Sequence, residues 1–321
     1  MYLSLALLLA AAPAPFFQRG VNFTAERPDH YSSESAQKLL VSLPSYGVNS
    51  VAFVPYGFSR SGEPSVRFQG DRGMESDSSI ELLAAVAHKN KMKVLLKPQI
   101  WSGRGGPSEL DYSSAEDIKK WFAAYRLFTE HYAKLAQRIH ADLYCVGVEF
   151  VKLNKHESEW RSVIAQARKF YSGPLVYAAN FGPEFENTKF WDALDYIGLD
   201  NYYPMPVEES LRKVEAVQRK YKKPVIFAEA GFASLVDAGK TPWDDTGAKA
   251  GSALRRQISL DEQQRCYESL LNAFYKKPWF QGVYWWKVGS NGFGGPADGS
   301  HTPWGKPAMD VVKRWYLQGG R

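Results

Sequence analysis

Two glutamates are set apart by what surrounds them. Glu149 closes the run Cys145-Val146-Gly147-Val148-Glu149-Phe150, and Glu229 sits in Phe227-Ala228-Glu229-Ala230-Gly231. Each is a lone carboxylate after an apolar run, and burying a charge there is costly unless the site uses it or pairs it. Two carboxylates facing each other across a cleft can share the cleavage of a glycosidic bond. One, with a raised pKa, protonates the leaving oxygen, and the other attacks the anomeric carbon. A spacing of about 5–5.5 Å gives retention and roughly 6.5–9.5 Å gives inversion. Sequence supplies no distance, so both outcomes stay open at this point. The structural alternative is that each Glu pairs with a neighbouring Lys or Arg.

Other polar and aromatic residues gather at the ends of apolar runs. Lys97 and Trp101 end KVLLKPQIW, Asn180 ends LVYAAN, Asp200 and Tyr202 end YIGLDNY, and Trp285, Trp286 and Lys287 lie in GVYWWKV. Aromatic faces can stack on pyranose rings, while the polar groups hold hydroxyls. Lys97 and Asp200 fit either the tuning of the two carboxylates or a mutual ion pair. Tyr202 is placed to donate to the nucleophile. The six histidines show no metal-binding spacing, and the chain has neither a G-x-S-x-G elbow nor a P-loop. The chemistry expected is therefore free of metal and cofactor.

These residues need a scaffold that brings strand ends together. Strands are predicted at 19–23, 48–57, 93–101, 143–150, 175–180, 196–202, 224–232 and 282–288, several of them near-continuous apolar runs suited to parallel strands covered on both faces. Amphipathic segments fill the gaps. Helix starts are expected at Ser78 to Glu81, Ser113 to Glu116, Asn154 to Glu157 and Ser259 to Glu262, and a helix stop at Tyr46-Gly47. Eight such repeats predict an α/β fold, a single-domain (β/α)8 barrel with its functional residues at the carboxyl ends of the strands. A doubly wound sheet lacks its G-x-G-x-x-G after the first strand. The long polar connection 234–259 follows the seventh strand and is a candidate wall or lid, or a plain insertion.

Composition narrows the class. The chain has 321 residues, 45% hydrophobic and 23% charged, which suits a soluble protein with a large core, and 14% are aromatic. The net charge of +6 includes a basic stretch at 207–223, but acidic residues interrupt it and no nucleic-acid motif accompanies it. That stretch reads as a solvated helix face, and nucleic acid is not an expected partner. Residues 1–14 carry a short apolar run suited to a signal peptide, so a secreted or periplasmic barrel over 15–321 is expected, without stable membrane insertion. Cys145 and Cys266 fall on separate elements and are expected as two buried thiols.

The motifs VGVEF (146–150), DYIGLDNYYP (195–204), PVIFAEAGF (224–232) and GVYWWKV (282–288) together resemble glycoside hydrolase family 113, within the clan A retaining glycosidases. The resemblance implies a TIM barrel, Glu149 as acid/base and Glu229 as nucleophile. It also implies β-1,4-mannan or manno-oligosaccharides as substrate, with a β-glucanase on the same two residues, or a noncatalytic carbohydrate-binding barrel, as the alternatives. Many clan members carry Asn just before the acid/base, to contact the sugar 2-hydroxyl. Here that position is Val148, so another group must serve, Asn180 being a candidate.

Overall fold

A computed structural model describes residues 16–26, 30–68, 74–103, 106–248 and 256–318. The apolar leader expected at residues 1–14 lies outside them. Eight parallel strands close into a barrel: β1 (Gln18–Thr24), β2 (Ser50–Phe53), β5 (Lys93–Leu96), β7 (Leu143–Val148), β8 (Leu175–Asn180), β9 (Tyr196–Asn201), β10 (Val225–Ala230) and β11 (Phe280–Gly289). β11 pairs back onto β1, which leaves no open edge. The intervening helices are α1 (Glu34–Ser42), α2 (Asp77–Lys89), α3 (Ala115–Arg138), α4 (Glu157–Phe170), α5 (Pro183–Asn187), α6 (Glu208–Tyr221), α7 (Leu260–Phe274) and α8 (Pro307–Gln318). The single-domain (β/α)8 barrel read from the strand–helix alternation is the fold found.

Period-two alternation divides the apolar residues between two layers. Ala52, Leu95, Cys145, Val176, Ala178, Ile226, Ala228 and Tyr284 fill the barrel interior. Their neighbours Val51, Val94, Leu96, Val146, Tyr177, Phe227 and Trp285 face the helices. Cys145 and Cys266 are buried and unbridged, as expected.

Three local expectations are corrected. The second and third predicted strands each break at a proline, because Pro55 and Pro98 offer no N–H to a ladder. Their distal halves form a separate sheet at the barrel mouth from β3 (Tyr56–Arg60), β4 (Glu63–Arg67) and β6 (Gln99–Trp101), in the order β4-β3-β6. The cap of α2 is Ser76, whose hydroxyl accepts from the Ser79 N–H, two residues before the expected Ser78. Asn154 does not cap α4; its amide donates instead to Thr188 Oγ1 at 2.9 Å. Ser114 and Ser259 cap as expected, and Gly47 stops its helix in the left-handed region at φ 78°.

Candidate active site

Both glutamates reach the barrel mouth through departures from strand regularity. Strict alternation would send Glu229 outward with Phe227. A register shift in the β10–β9 pairing between those residues leaves Ala228 and Glu229 both on the interior side. Pairing across β8, β9 and β10 then aligns Asn180, Asp200 and Glu229 in one row. β7 has a similar shift between Cys145 and Val148, and Glu149 follows with φ 54°. A left-handed backbone is rare for a residue other than glycine and costs about 1 kcal/mol or more, a cost that the surrounding bonds must offset.

Those bonds form a connected set. The Glu149 N–H donates to Ala178 O at 2.9 Å, and the Asn180 amide donates to Glu149 Oε1 at 3.0 Å. The next residue is fixed too, because the Phe150 N–H donates to the Tyr177 hydroxyl at 3.1 Å. That hydroxyl donates to Glu184 Oε1 at 2.5 Å, while Glu184 Oε2 accepts the Asn180 N–H at 2.8 Å. Glu184, buried on α5, thus holds both residues that position Glu149. Burial first, then the charges of Glu229 and Glu184, push the Glu149 carboxyl up to about 8.

Glu229 has a different environment. Its Oε1 accepts from the Lys97 ammonium, and its Oε2 accepts from the Tyr202 hydroxyl at 2.9 Å. Lys97 is wholly buried. Burial alone would lower its pKa, but the charges of Glu229 and Asp200 outweigh that and raise it. Lys97 therefore makes its ion pair with Glu229, and no Lys97–Asp200 pair is formed among the described residues. Asp200 is fully buried, and neither carboxylate oxygen has a hydrogen-bond partner among the described residues. Burial, then the charge of Glu229, pushes Asp200 well above the usual carboxylate range. With Glu149 raised by burial and Glu229 held by Lys97, the two strand-end carboxyls have the asymmetry that acid-plus-nucleophile chemistry uses.

The aromatic and cationic residues divide. Trp286 stays partly exposed, with the Lys97 ammonium 5.1 Å and the Lys287 ammonium 5.6 Å from its ring. Lys287 pairs with Glu26 at 2.6 Å on the rim. Trp101 is 53% exposed on β6, edge-on to Tyr56. Trp285 corrects an expectation, because it faces away from the mouth and stacks on Tyr267 of α7 at 4.0 Å. Adjacent residues on a strand point to opposite faces, so only one of the Trp pair can line the cleft. Trp285→Ala should therefore destabilise the protein by about 3–5 kcal/mol, whereas Trp286→Ala should leave the melting temperature nearly unchanged and raise KM. Thermal melts together with steady-state kinetics on the two variants check this.

Sequence reasoning missed several residues. Tyr56 lies close enough to Glu229, Glu75 and Glu26 for their charges to raise its pKa, after burial. Glu184 on the short helix α5 and Glu75 just before α2 carry no strand-end signature. Glu75, buried before α2, accepts the Ala25 N–H at 3.1 Å, and burial pushes it up to about 7, as it does Glu184. The connection 234–259 is described up to residue 248 and from residue 256. Leu235 bridges Ile258, and Trp243 stacks on Phe181 beyond β8 at 5.2 Å.

The raised carboxyls carry a prediction for stability. Glu149, Glu184 and Glu75 bind a proton more tightly folded than unfolded, so folding takes up protons between about pH 4.5 and about 7–8. Their contribution is complete below the unfolded pKa near 4.5 and is lost as pH rises through the folded values. Urea unfolding midpoints should therefore fall steadily from pH 5 to pH 8.5. A midpoint rising over that range would contradict the assignment.

Among the described residues, no group of three or more His, Cys, Asp or Glu side chains is placed to hold a metal ion, and no helix is long and apolar enough to cross a membrane. A model of Glycoside Hydrolase Family 113 matches residues 21–293. Among solved structures, the GH113 β-mannanase AaManA from Alicyclobacillus acidocaldarius, in complex with ManMIm, is 30% identical with a TM-score of 0.87, the match covering 96% of this chain and 99% of that one. A further GH113 β-1,4-mannanase is 26% identical with a TM-score of 0.85, covering 94% and 99% respectively. A family 5 mannosidase from Rhizomucor miehei shares the fold alone, at 13% identity and a TM-score of 0.64 over 94% of this chain and 93% of that one. No curated protein matches the chain. With the motif-bearing strands inside the matched region, the chain belongs to Glycoside Hydrolase Family 113 and is a glycoside hydrolase.

Proposed function

We propose that this enzyme hydrolyses β-1,4-linked mannan or manno-oligosaccharides by double displacement, with Glu229 as nucleophile and Glu149 as acid/base. The observation that carries the assignment of roles is the unequal environment of the two carboxyls. Glu149 is raised to about 8 and so holds a proton at neutral pH, while Glu229 carries the Lys97 ammonium and the Tyr202 hydroxyl. In the first step, Glu149 gives its proton to the glycosidic oxygen as the Glu229 carboxylate attacks the anomeric carbon. The leaving sugar departs as an alcohol and a glycosyl ester of Glu229 remains. In the second, the Glu149 carboxylate takes a proton from water as its oxygen attacks the same carbon, which frees Glu229.

Retention and mannan both draw on the family, whose structural neighbours named above are β-mannanases. Val148 is buried in the barrel interior, so the residue before the acid/base does not reach substrate. Asn180, bound to Glu149 Oε1, is the group placed to meet the 2-hydroxyl instead. A polymeric substrate also suits export through the leader, which recovery of the protein from culture medium or periplasm would test. Purified enzyme should release reducing ends from mannan and glucomannan, with the β-anomer formed first by NMR. Faster cleavage of cello-oligosaccharides would move the substrate to β-glucan. First formation of the α-anomer would exclude double displacement.

A further inference from the structure

The small sheet at the barrel mouth presents a second recognition surface. Its inner face is firmly seated. Gly57 packs so closely on α3 that an added Cβ would lie 2.6 Å from Phe128, and the Ser59 hydroxyl is buried, taking the Trp121 indole N–H at 2.9 Å and donating to Ser65 O at 2.8 Å. The other face looks into a cleft of about 680 Å³. Strand register orders that face into rows. Tyr56 pairs with Gln99 nearest the barrel; Arg67, Phe58 and Trp101 form the next row across all three strands; Arg60 and Glu63 form the outermost.

Three features of this face lack an internal purpose. Trp101 stands 53% exposed beside Phe58. Gln99 Oε1 is buried without a hydrogen-bond partner among the described residues. The Arg60 and Arg67 guanidinium carbons lie 5.1 and 5.0 Å from the Phe58 ring centroid, and neither side chain has an ion pair among the described residues, even though Glu63 sits opposite Arg60. Here an aromatic ring holds the guanidinium groups in place and leaves their N–H forks available, the arrangement that suits bidentate capture of a carboxylate.

We infer that this face is a saccharide subsite selective for a uronic-acid residue, reached from the catalytic centre past Tyr56. The pyranose ring lies on Trp101 and Phe58, and its carboxylate meets Arg67 and Arg60. The inference rests on the glycosidase reading and extends it to acidic or uronate-substituted polysaccharides. Glu63 sits opposite Arg60 and Glu109 shares the hollow beside it, so Arg67, one row nearer the barrel, is the main partner of the carboxylate and Arg60 the outer one.

Calorimetric titration of the full-length Glu149→Gln variant compares a glucuronate-bearing manno-oligosaccharide with the neutral oligosaccharide of the same length. The charged ligand should bind about tenfold more tightly at low salt, and the preference should shrink as salt rises. Adding Arg60→Ala and Arg67→Ala should bring the ratio of the two affinities to about one. Trp101→Ala should weaken both ligands together. Equal affinities in the parent variant, no binding of either, or a preference that survives loss of both arginines would overturn the subsite. Wild-type hydrolysis of the neutral oligosaccharide is measured in parallel and fails independently, since it reports on the substrate reading and not on the arginines.

Discussion

Glu229→Gln is expected to cut kcat by at least about 10⁴-fold, because the amide is no nucleophile. The same change removes the counter-charge of Lys97, whose side chain has no exposure at all. Leaving a buried charge without its partner costs about 3–5 kcal/mol. The loss should fall near the lower end, since Asp200 adjoins the pair in register and can ionise as a substitute. Lys97→Met in the Glu229→Gln background removes the stranded ammonium and should recover most of that stability without any activity. Denaturant unfolding and product release on the single and double variants separate the two effects. Substantial turnover by folded Glu229→Gln would sink its assignment as nucleophile.

Glu149 should show itself chiefly through pH. As an acid it works only while protonated, so kcat/KM should fall as pH rises through about 8, the value set by burial and by the charges of Glu229 and Glu184. Glu149→Gln should lower kcat on oligosaccharides by about 10²–10⁴-fold and abolish that alkaline limb. The loss should be much smaller on an aryl glycoside whose leaving group needs no proton. Glu184→Gln makes a finer test. It removes one of the charges that raise Glu149, so the alkaline limb should move to lower pH, while a role confined to stability would leave the limb in place. An unchanged limb in the Glu149→Gln profile would mean that another group supplies the proton.

Much of the site was legible because barrels put function at the carboxyl ends of strands. That rule alone selects Glu149, Glu229, Lys97, Asn180 and Asp200 from the sequence, and all five meet at the mouth. Trp285 shows the limit of reasoning from position along a strand. Two adjacent tryptophans look alike in sequence, and only the phase of the strand assigns one to the cleft and the other to the stack on Tyr267. Glu184 was invisible for another reason: its importance lies in bonds to Tyr177 and Asn180 on a neighbouring element, not in any motif of its own.

The two glutamates came from the sequence by itself, since a lone carboxylate closing a buried apolar run is a local pattern that each strand carries independently. The repeat of such strands with capped helices likewise determined the closed barrel. Tertiary structure decided how the pair differs. The register shift that turns Glu229 onto Lys97, the left-handed backbone at Glu149 and the burial that raises its carboxyl all depend on contacts between segments far apart in the chain. The Pro55 and Pro98 breaks were likewise visible as residues, but only pairing between their freed ends made the mouth sheet and its row of Arg67, Phe58 and Trp101. Electrostatic environment is set by what surrounds a group in space, and neighbours in space are what a linear sequence does not state.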